Sequence, residues 1–296
     1  MIRIKKEGYR SRRKKQWAGA LILILVLLLS WLGMKRLLLS GSQSSGKLVI
    51  TALSVGKADA LIIQEADQVL LMDTGEWEDG ETIVQELQKR GIHHIDRLLI
   101  THFDKDHVGG AAYVMEHMEV ASVILPDYEG DREEYRKFLV SLENHPDVRR
   151  LTEPLSISEG RMQLTIYPAE QVQEIQSAGE EYDNDMSLVT SMVYGERSFL
   201  FTGDIEKTRI RQMLADGTDW RHDWMKMPHH GRYQKALKEL LEAVAPEEAV
   251  ICCSNKNPAE EKTLGLLEES GVQVWDTADR AVVTVCDGSR LETGYE

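Results

Sequence analysis

Cysteine is scarce in this chain, with only three Cys among 296 residues. Cys252 and Cys253 are adjacent and Cys286 is distant, which excludes a disulfide framework or a structural zinc knuckle. The adjacent pair fits the buried end of a strand. Seven Pro and 22 Gly exclude a collagen-like or low-complexity chain, and 42% hydrophobic residues exclude disorder. The length suits one large globular domain or two small ones.

Positive charge is scarce beyond residue 36. The first 36 residues contain ten Lys and Arg and a single acid, Glu7. The other 260 residues therefore contain 25 of the 35 basic side chains and 48 of the 49 acidic ones, a net charge of −23. Such an acidic body repels polyanions, which argues against a broad nucleic-acid-binding face. A phosphate-bearing substrate would need a local, strongly positive site.

Charge is absent from Trp17–Gly33, a run of 17 residues. As a helix this run would rise about 25 Å, and with the Leu run after Arg36 it approaches the length that crosses a bilayer. Eight basic residues precede the run and two follow it, so the positive-inside rule keeps the N-terminus in the cytoplasm. The sequence therefore predicts a single-pass cell-membrane protein whose body is extracytoplasmic.

The predicted organisation has four parts. They are a basic cytoplasmic N-terminus (1–16), a transmembrane anchor (17–39) in contact with the lipid bilayer, a flexible Gly/Ser linker (40–46) and a body (47–296). A cleaved signal peptide is the rival interpretation of the apolar run, because Ser40–Ser42 is small enough for a cleavage site. A Leu-rich core helix is the other alternative, and the flanking cations argue against it.

The body alternates short apolar runs with amphipathic stretches, which predicts an α/β fold with mixed sheets. The predicted strands are Leu48–Val55, Ala60–Gln64, Val69–Met72, Arg97–Thr101, Ala121–Leu125, Gln163–Tyr167, Ser187–Val193, Ser198–Thr202, Ala249–Cys252, Val272–Trp275 and Ala281–Val285. The predicted helices are Glu81–Arg90, Val108–His117, Arg132–Glu143, Glu206–Ala215, Gln234–Ala243 and Glu260–Glu269. The stretch from Glu174 to Asp185 is predicted to be a long polar loop.

The densest chemical signal is the ten-residue stretch THFDKDHVGG, which begins at Thr101. Two imidazoles and two carboxylates fall within six residues after an apolar strand, and such side chains can converge on a cation. Without a cation, Asp104 and Asp106 would repel each other. A solvated acidic turn with two incidental His is the alternative.

Three further segments place similar side chains after apolar runs. Asp204 follows LFTG, His229 and His230 stand in MPHHG, and Asp73 ends VLLMD. Each segment has an ordinary explanation, which is a helix N-cap for Asp204, incidental His for the pair, and turn chemistry for Asp73. The order in which the segments occur favours a common site.

The series VGKADALII, LLMDTG, LLITHFDKDHVGG, NDMSLV, FLFTGD and MPHHG resembles the metallo-β-lactamase superfamily. It is similar in particular to the extracytoplasmic domain of the competence protein ComEC and its stand-alone, membrane-anchored relatives. The resemblance covers nearly the whole body from Lys47. It implies an αββα sandwich with a metal site at the edge where the strands end.

The resemblance also implies a ligand set for the metal. His102, Asp104, Asp106 and His107 match the metal-binding loop, Asp204 matches a carboxylate that bridges two metals, and the pair His229 and His230 matches the last His ligand. The choice within that pair is open, with His229 favoured as the ligand and His230 nearby.

Two positions depart from the superfamily pattern. Asp104 stands where a His is usual, although the ComEC-like branch resembles this chain there. The His expected about twenty residues before Asp204 is absent, and Asn184 and Asp185 occupy that stretch, so Asp185 is a candidate oxygen ligand. His145, the nearest other His upstream, has a surface-like context. An oxygen-rich position makes manganese credible beside zinc.

The chemistry implied is hydrolysis by two divalent metal ions that share an activated water. Asp106 is expected to bind metal and orient the nucleophile, which makes it the candidate catalytic residue. Asp73 and Thr101 are candidates for fixing the orientation of the ligands.

The expected substrate is a phosphoester, and the resemblance implies DNA, with a single strand as one candidate form. Acidity of the body favours a small or single-ended substrate over a long duplex. Arg232, Lys235 and Lys238 could contact phosphate or form the solvated face of a helix. The alternatives are an esterase for a cell-envelope phosphoester such as a phosphocholine group, and a non-catalytic binding or assembly partner. With one hydrophobic span the chain cannot form a DNA channel, so a role in uptake would need a partner.

Overall fold

The computed structural model describes residues 46–178 and 182–296. Within these residues the strands are β1 Leu48–Ala52, β2 Leu61–Glu65, β3 Gln68–Met72, β4 His94–Leu99, β5 Glu119–Pro126, β6 Val148–Leu151, β7 Leu155–Glu159, β8 Met162–Tyr167, β9 Val189–Tyr194, β10 Arg197–Phe201, β11 Trp224–Lys226, β12 Glu248–Ile251, β13 Gln273–Asp276, β14 Val282–Cys286 and β15 Leu291–Tyr295. The helices are α1 Asp79–Lys89, α2 Lys105–Val108, α3 Ala111–His117, α4 Glu133–Leu142, α5 Val172–Ala178, α6 Tyr182–Asp185, α7 Lys207–Ala215, α8 Leu237–Val244 and α9 Glu261–Glu269, with a short 3₁₀ turn at Pro228–Gly231.

The strands form two mixed sheets. The first has eight strands in the order β15-β14-β1-β2-β3-β4-β5-β6, and the second has seven in the order β13-β12-β11-β10-β9-β8-β7. In each sheet one half consists of parallel strands, which are β3 to β6 in the first sheet and β10 to β13 in the second. The other half of each is antiparallel. Parallel strands need crossover helices, and these helices cover the outer faces.

Three apolar layers follow from the alternation of side chains along the strands. In β3, Leu70 and Met72 pack between the two sheets, whereas Val69 and Leu71 pack against the outer helices. In β10, Phe199 and Phe201 enter the layer between the sheets, and Leu200 faces the helices on the other side. The result is a helix–sheet–sheet–helix sandwich, which confirms the predicted α/β class and αββα architecture.

The predicted elements agree with the structure in most places and differ in three. Each predicted strand has an observed counterpart, but β6, β7, β11 and β15 were not predicted. The predicted helix Val108–His117 is broken at Gly109 and Gly110. The predicted polar loop from Glu174 to Asp185 is wrong in part, since α5 and α6 occupy described portions of it. The predicted anchor at residues 17–39 lies outside the described residues, and no described helix is long and apolar enough to cross a membrane.

Candidate metal centre

The site lies where parallel strands of both sheets end. Asp73 directly follows β3, and His102 comes three residues after β4, its parallel neighbour in the first sheet. Asp204 comes three residues after β10, and His230 comes four residues after β11, its parallel neighbour in the second sheet. Parallel neighbouring strands end at the same edge of a sheet. The polar side chains that follow these strands in both sheets therefore lie in one crevice.

Backbone hydrogen bonds hold the loop after β4 against the rest of the site. The N–H of Thr74 donates to the carbonyl of His107 (2.7 Å), and the N–H of Asp59 donates to the carbonyl of Asp106 (3.0 Å). A Cβ on Gly110 would collide with the carbonyl of Thr74, so only Gly permits this approach. The same close packing separates α2 from α3.

Three imidazoles in the crevice are buried and anchored through Nδ1. His107 Nδ1 lies 2.8 Å from Oδ2 of Asp73, and His230 Nδ1 lies 2.9 Å from the carbonyl oxygen of Cys252. His102 Nδ1 lies 3.1 Å from Oγ1 of Thr101, whose hydroxyl donates to Asp73. An anchored Nδ1 directs the opposite nitrogen, Nε2, into the crevice.

The three Nε2 atoms are buried and have no hydrogen-bond partner among the described residues. Carboxylate oxygens nevertheless lie close to two of them. Asp204 Oδ2 is 3.2 Å from Nε2 of His107 and 3.1 Å from Nε2 of His230, which is also 3.3 Å from Oδ2 of Asp106. Ligand atoms of His102, His107 and Asp204 all lie within 4.8 Å of one another.

Electrostatics in the crevice couple the His to the carboxylates. Burial lowers the pKa of His102 well below its ordinary value, and the neighbouring His107 adds to that effect. Burial opposes protonation of His107 and His230 too, but the surrounding carboxylates, of which Asp204 has the largest effect, together outweigh it. The pKa of His107 is therefore raised well above its ordinary value and that of His230 is raised to about 9. In return, and against the effect of burial, these two His lower the pKa of Asp204 well below its usual range.

His230, rather than His229, faces the other predicted ligands. Both residues adopt the left-handed conformation, with φ of 46° for His229 and 53° for His230, so their side chains diverge. His229 Nδ1 lies 2.5 Å from Oε1 of Glu206 and 3.3 Å from Nδ2 of Asn184. The geometry thus reverses the order in which the sequence favoured the two His as ligands.

Asp106 and Asp104 occupy different positions around the crevice. Asp106 contacts His230, and although burial opposes ionisation, His230 and His107 lower the pKa of Asp106 below its ordinary value. Asp104 turns partly outward, where its Oδ1 accepts a hydrogen bond from Nη2 of Arg132 (3.1 Å). Its Oδ2 lies 3.9 Å from Nε2 of His102, so one oxygen remains on the side of the site.

The Asp185 carboxylate caps the N-terminus of a helix. Its Oδ1 accepts hydrogen bonds from the N–H groups of Glu206 (2.7 Å) and Arg209 (3.3 Å) at the beginning of α7. Burial raises the pKa of Asp185 to about 6. The structure does not bring this carboxylate into contact with the His cluster, which removes the geometric support for Asp185 as a metal ligand. The reason is that the N-terminus of α7 offers it unpaired donors.

Two charged residues of the site were not singled out from the sequence. Lys226 and Asp59 are each 1% exposed, and the Lys226 ammonium contacts Asp59 Oδ2, the carbonyl of Gly203 and Asp204 Oδ1. Burial opposes the charge of Lys226, but Asp59 and Asp204 raise its pKa above its ordinary value. A Lys at the end of the apolar strand β11 and an Asp directly before the apolar run ALII were the available signals, because lone charges in apolar runs seldom face an apolar core.

The donor set fits a divalent cation. Buried imidazole nitrogens without hydrogen-bond partners are costly unless a ligand satisfies them. Two ligands of one ion bound at about 2.1 Å lie roughly 3–3.5 Å apart, which is the spacing of Asp204 Oδ2 to the two nearest Nε2 atoms. His102, His107, His230, Asp204 and Asp106 are therefore the residues that would hold a metal here.

A four-layer sandwich with His and Asp gathered at the strand ends is the architecture of metallo-β-lactamase-fold proteins. Residues 53–168 match the family model described as the Metallo-beta-lactamase superfamily. The resemblance inferred from the motifs is thereby confirmed, and the fold implies divalent metal ions.

Curated relatives of the chain carry names that refer to competence and recombination, among them Competence protein ComA of Neisseria gonorrhoeae, which is 26% identical over 249 residues and covers 79% of this chain and 32% of that protein. The chain is 22% identical over 266 residues to ComE operon protein 3 of Bacillus subtilis, which covers 82% of this chain and 34% of that protein. It is 28% identical over 214 residues to Recombination protein 2 of Haemophilus influenzae, covering 71% of this chain and 24% of the relative. The chain thus spans about a quarter to a third of the length of these relatives.

Solved structures agree on the fold. A mutant of the CmlA beta-hydroxylase superposes with a TM-score of 0.51 at 14% identity, covering 77% of this chain and 52% of that one. Igni18, a metallo hydrolase from Ignicoccus hospitalis, superposes with a TM-score of 0.50 at 13% identity, covering 84% of this chain and 99% of that one. At these identities the likeness shows the architecture alone.

Proposed function

We propose that the chain is a divalent-metal-dependent phosphodiesterase whose metal site comprises His102, His107, His230, Asp204 and Asp106. The observation that carries the proposal is the set of three buried Nε2 atoms without hydrogen-bond partners beside Asp204 and Asp106. When bound, the metal supplies a Lewis acid and lowers the pKa of a coordinated water. The fold and the superfamily match support metal-dependent hydrolysis in general, and the phosphodiester is our proposal.

The residues around the metal position have separate roles in this proposal. Asp73 orients His107 through its Oδ2 and holds the loop through a hydrogen bond from the N–H of Thr101 (2.7 Å). Asp106 has a lowered pKa, so it is ionised at neutral pH and acts as an anionic ligand that orients the attacking nucleophile. Two of the five ligands are carboxylates and three are imidazoles, a mixture that suits manganese as well as zinc. The sequence predicts two such ions.

DNA, as a single strand or a strand end, is the substrate that the relatives favour, because their names refer to competence and recombination. An open groove of about 410 Å³ adjoins Asp106, and it is lined partly by Lys57, Lys105 and Asn257. Lys105 donates a hydrogen bond to Oε1 of Glu76 (2.9 Å), so Lys57 is the ammonium group that we assign to contact with a phosphate backbone near the metal. The acidity of the body favours a single strand or a strand end over a long duplex.

One observation favours a second candidate substrate. Glu76, Glu78 and Asp79 also line the groove. Acidic side chains beside a metal site would suit a phosphoester that carries its own cation, such as a phosphocholine group of the cell envelope. This esterase is the alternative to the nuclease.

The location proposed is the outer side of the cell membrane, with residues 17–39 as the anchor. The support is the uncharged run from Trp17 to Gly33 and the excess of basic residues before it.

The test compares three substrates with the full chain loaded with Mn²⁺ or Zn²⁺. Bis-p-nitrophenyl phosphate, single-stranded DNA and p-nitrophenyl phosphorylcholine are assayed at two salt concentrations. We expect hydrolysis of the model diester and of DNA, a decrease of the DNA rate at high salt, and a loss of at least a hundredfold in D106A. Glu269→Gln, an exposed carboxylate at the end of α9, is the matched control and should keep full activity.

Other results would redirect the proposal. Preference for the phosphorylcholine ester, insensitive to salt, would establish the esterase and contradict the nuclease. A chain that contains metal but hydrolyses none of the three esters would favour a binding or assembly partner that retains the fold.

A further inference from the structure

A buried ammonium lies inside the metal centre. Lys226 is 1% exposed at the end of β11, and its Nζ donates to the carbonyl of Gly203 (3.0 Å) and to Oδ1 of Asp204 (3.2 Å). Its third contact is Oδ2 of Asp59. An ammonium has three donors, and here each has an acceptor, so Lys226 is held as a permanent cation rather than as a mobile side chain.

The two oxygens of Asp204 are divided between this ammonium and the imidazoles. Oδ2 faces Nε2 of His107 and of His230, at 3.2 and 3.1 Å, whereas Oδ1 faces Lys226. The two-ion arrangement expected from the sequence uses Asp204 as the bridge between the ions. An ion placed at Oδ1 would have to displace Lys226 or lie against its positive charge.

A second ion beside Asp104 would be short of ligands, because His102 lies with His107 and Asp204 around the position of the first ion. Oδ1 of Asp185 accepts a hydrogen bond at the N-terminus of α7, and Oδ1 of Asp104 accepts one from Arg132. Oδ2 of Asp104, at 3.9 Å from Nε2 of His102, is the oxygen left on that side. A second ion there would lack most of the protein ligands that a tightly bound metal has.

We infer that this centre holds one divalent ion, on the Oδ2 side of Asp204, and that Lys226 provides the second positive charge of the site from the Oδ1 side. Asp59 is the positioning residue that keeps the ammonium there. The inference rests on the proposed metal-dependent function, and it revises the number of ions.

The experiment counts ions in the full chain, purified without metal and then loaded with Mn²⁺. Native mass spectrometry and elemental analysis give the number per chain, and electron paramagnetic resonance distinguishes an isolated Mn²⁺ from a spin-coupled pair. We expect one ion per chain and the six-line spectrum of isolated Mn²⁺. Two tightly bound ions with a coupled spectrum would overturn the inference and leave the proposed function standing, whereas no bound ion would contradict both.

A variant tests the part assigned to Lys226. Lys226→Met removes the charge while keeping most of the volume, and we expect it to bind a second Mn²⁺ at Oδ1 of Asp204. Lys238→Met, an exposed Lys on α8, is the matched control and should bind one ion. A folded K226M chain that still binds one ion would contradict the assignment. The count in the wild-type chain does not depend on the folding of any variant, so it decides the number of ions by itself.

Discussion

The three imidazoles of the centre are oriented by chemically different neighbours. A hydroxyl anchors His102, a carboxylate anchors His107 and a backbone carbonyl anchors His230. A carbonyl oxygen can only accept, so His230 must carry a proton on Nδ1, which leaves the lone pair of its neutral form on Nε2. The ligand nitrogens are therefore aimed before any metal binds, and little reorganisation accompanies binding.

The first prediction separates the two adjacent His. His230→Gln should weaken Mn²⁺ binding by more than about tenfold, because Nε2 of His230 is one of the nitrogens beside Asp204 and Asp106. His229→Gln should change the affinity less than threefold, since His229 contacts Glu206 and Asn184 instead. Isothermal titration calorimetry on both folded variants measures the difference. The opposite order of affinities would restore His229 as the ligand.

The second prediction concerns pH. The pKa of His230 is raised from 6.5 to about 9 in the metal-free protein. Its protonated form therefore stabilises the metal-free fold fully below pH 6.5, and that contribution is lost as the pH rises through 9. A metal needs the unprotonated Nε2, so its apparent affinity should rise with pH up to about 9, by up to about tenfold per unit for each proton released.

Calorimetric titration of Mn²⁺ in two buffers of different ionisation enthalpy measures the protons released. We expect about one more proton released by the wild-type chain than by the His230→Gln variant at pH 7.5. An affinity that does not change between pH 7 and 9 would show that the metal does not displace the proton of His230.

The sequence predicts only part of the ligand chemistry of the centre. The types of ligand in the loop from His102 to His107 follow from local spacing, since that loop brings them together by itself. The choice between His229 and His230 does not, because it depends on two successive residues with positive φ. Nothing in the letters HHG indicates that conformation.

At the scale of elements, the departures from the expected pattern have identifiable causes. The helix expected at Val108–His117 is interrupted because Gly109 and Gly110 pack against the backbone of Thr74 and Glu76. Two of the strands missed, β6 and β7, lie at sheet edges and have exposed or half-exposed residues along most of their length. Edge strands carry a weak apolar pattern, because solvent covers part of them.

The third prediction concerns the beginning of α7. Asp185→Ala should lower the free energy of unfolding by about 1 kcal/mol, as expected for a lost helix cap, because the N–H groups of Glu206 and Arg209 lose their acceptor. Asp185→Asn keeps an acceptor oxygen and should lose less than half of that. Urea unfolding measures the free energies, and elemental analysis should find the same Mn²⁺ content in all three chains. Loss of metal in Asp185→Ala without loss of stability would reinstate this residue as a ligand.

At the scale of the whole molecule, the site requires both sheets. Asp73 and the loop that contains His107 come from the first sheet, whereas Asp204, Lys226 and His230 come from the second. Neither half offers a complete set of donors, so the centre forms only when the two sheets pack over their shared apolar layer. Binding of the metal should consequently stabilise the whole fold rather than one loop.

The fourth prediction concerns the membrane. In cells the intact chain should sediment with membranes and resist extraction by high salt, because the uncharged run from Trp17 to Gly33 would be anchored by hydrophobic burial. A variant with Leu25→Lys and Leu28→Lys should move to the soluble fraction, since each charge near the bilayer centre costs about 3 kcal/mol. Leu237→Met, within the body, is the control. An intact mass shortened near Ser40–Ser42 would show a cleaved signal peptide instead.

The sequence by itself determined the α/β alternation, the chemistry of the loop after β4 and the likeness to metallo-β-lactamase proteins, because these depend on residues close together along the chain. Tertiary structure alone decided that His230 joins the cluster, that Asp185 caps a helix and that Lys226 meets Asp59. Those partners are separated by up to 167 positions along the chain. Only the face-to-face packing of the two sheets brings such distant charges into contact, and no local pattern encodes it.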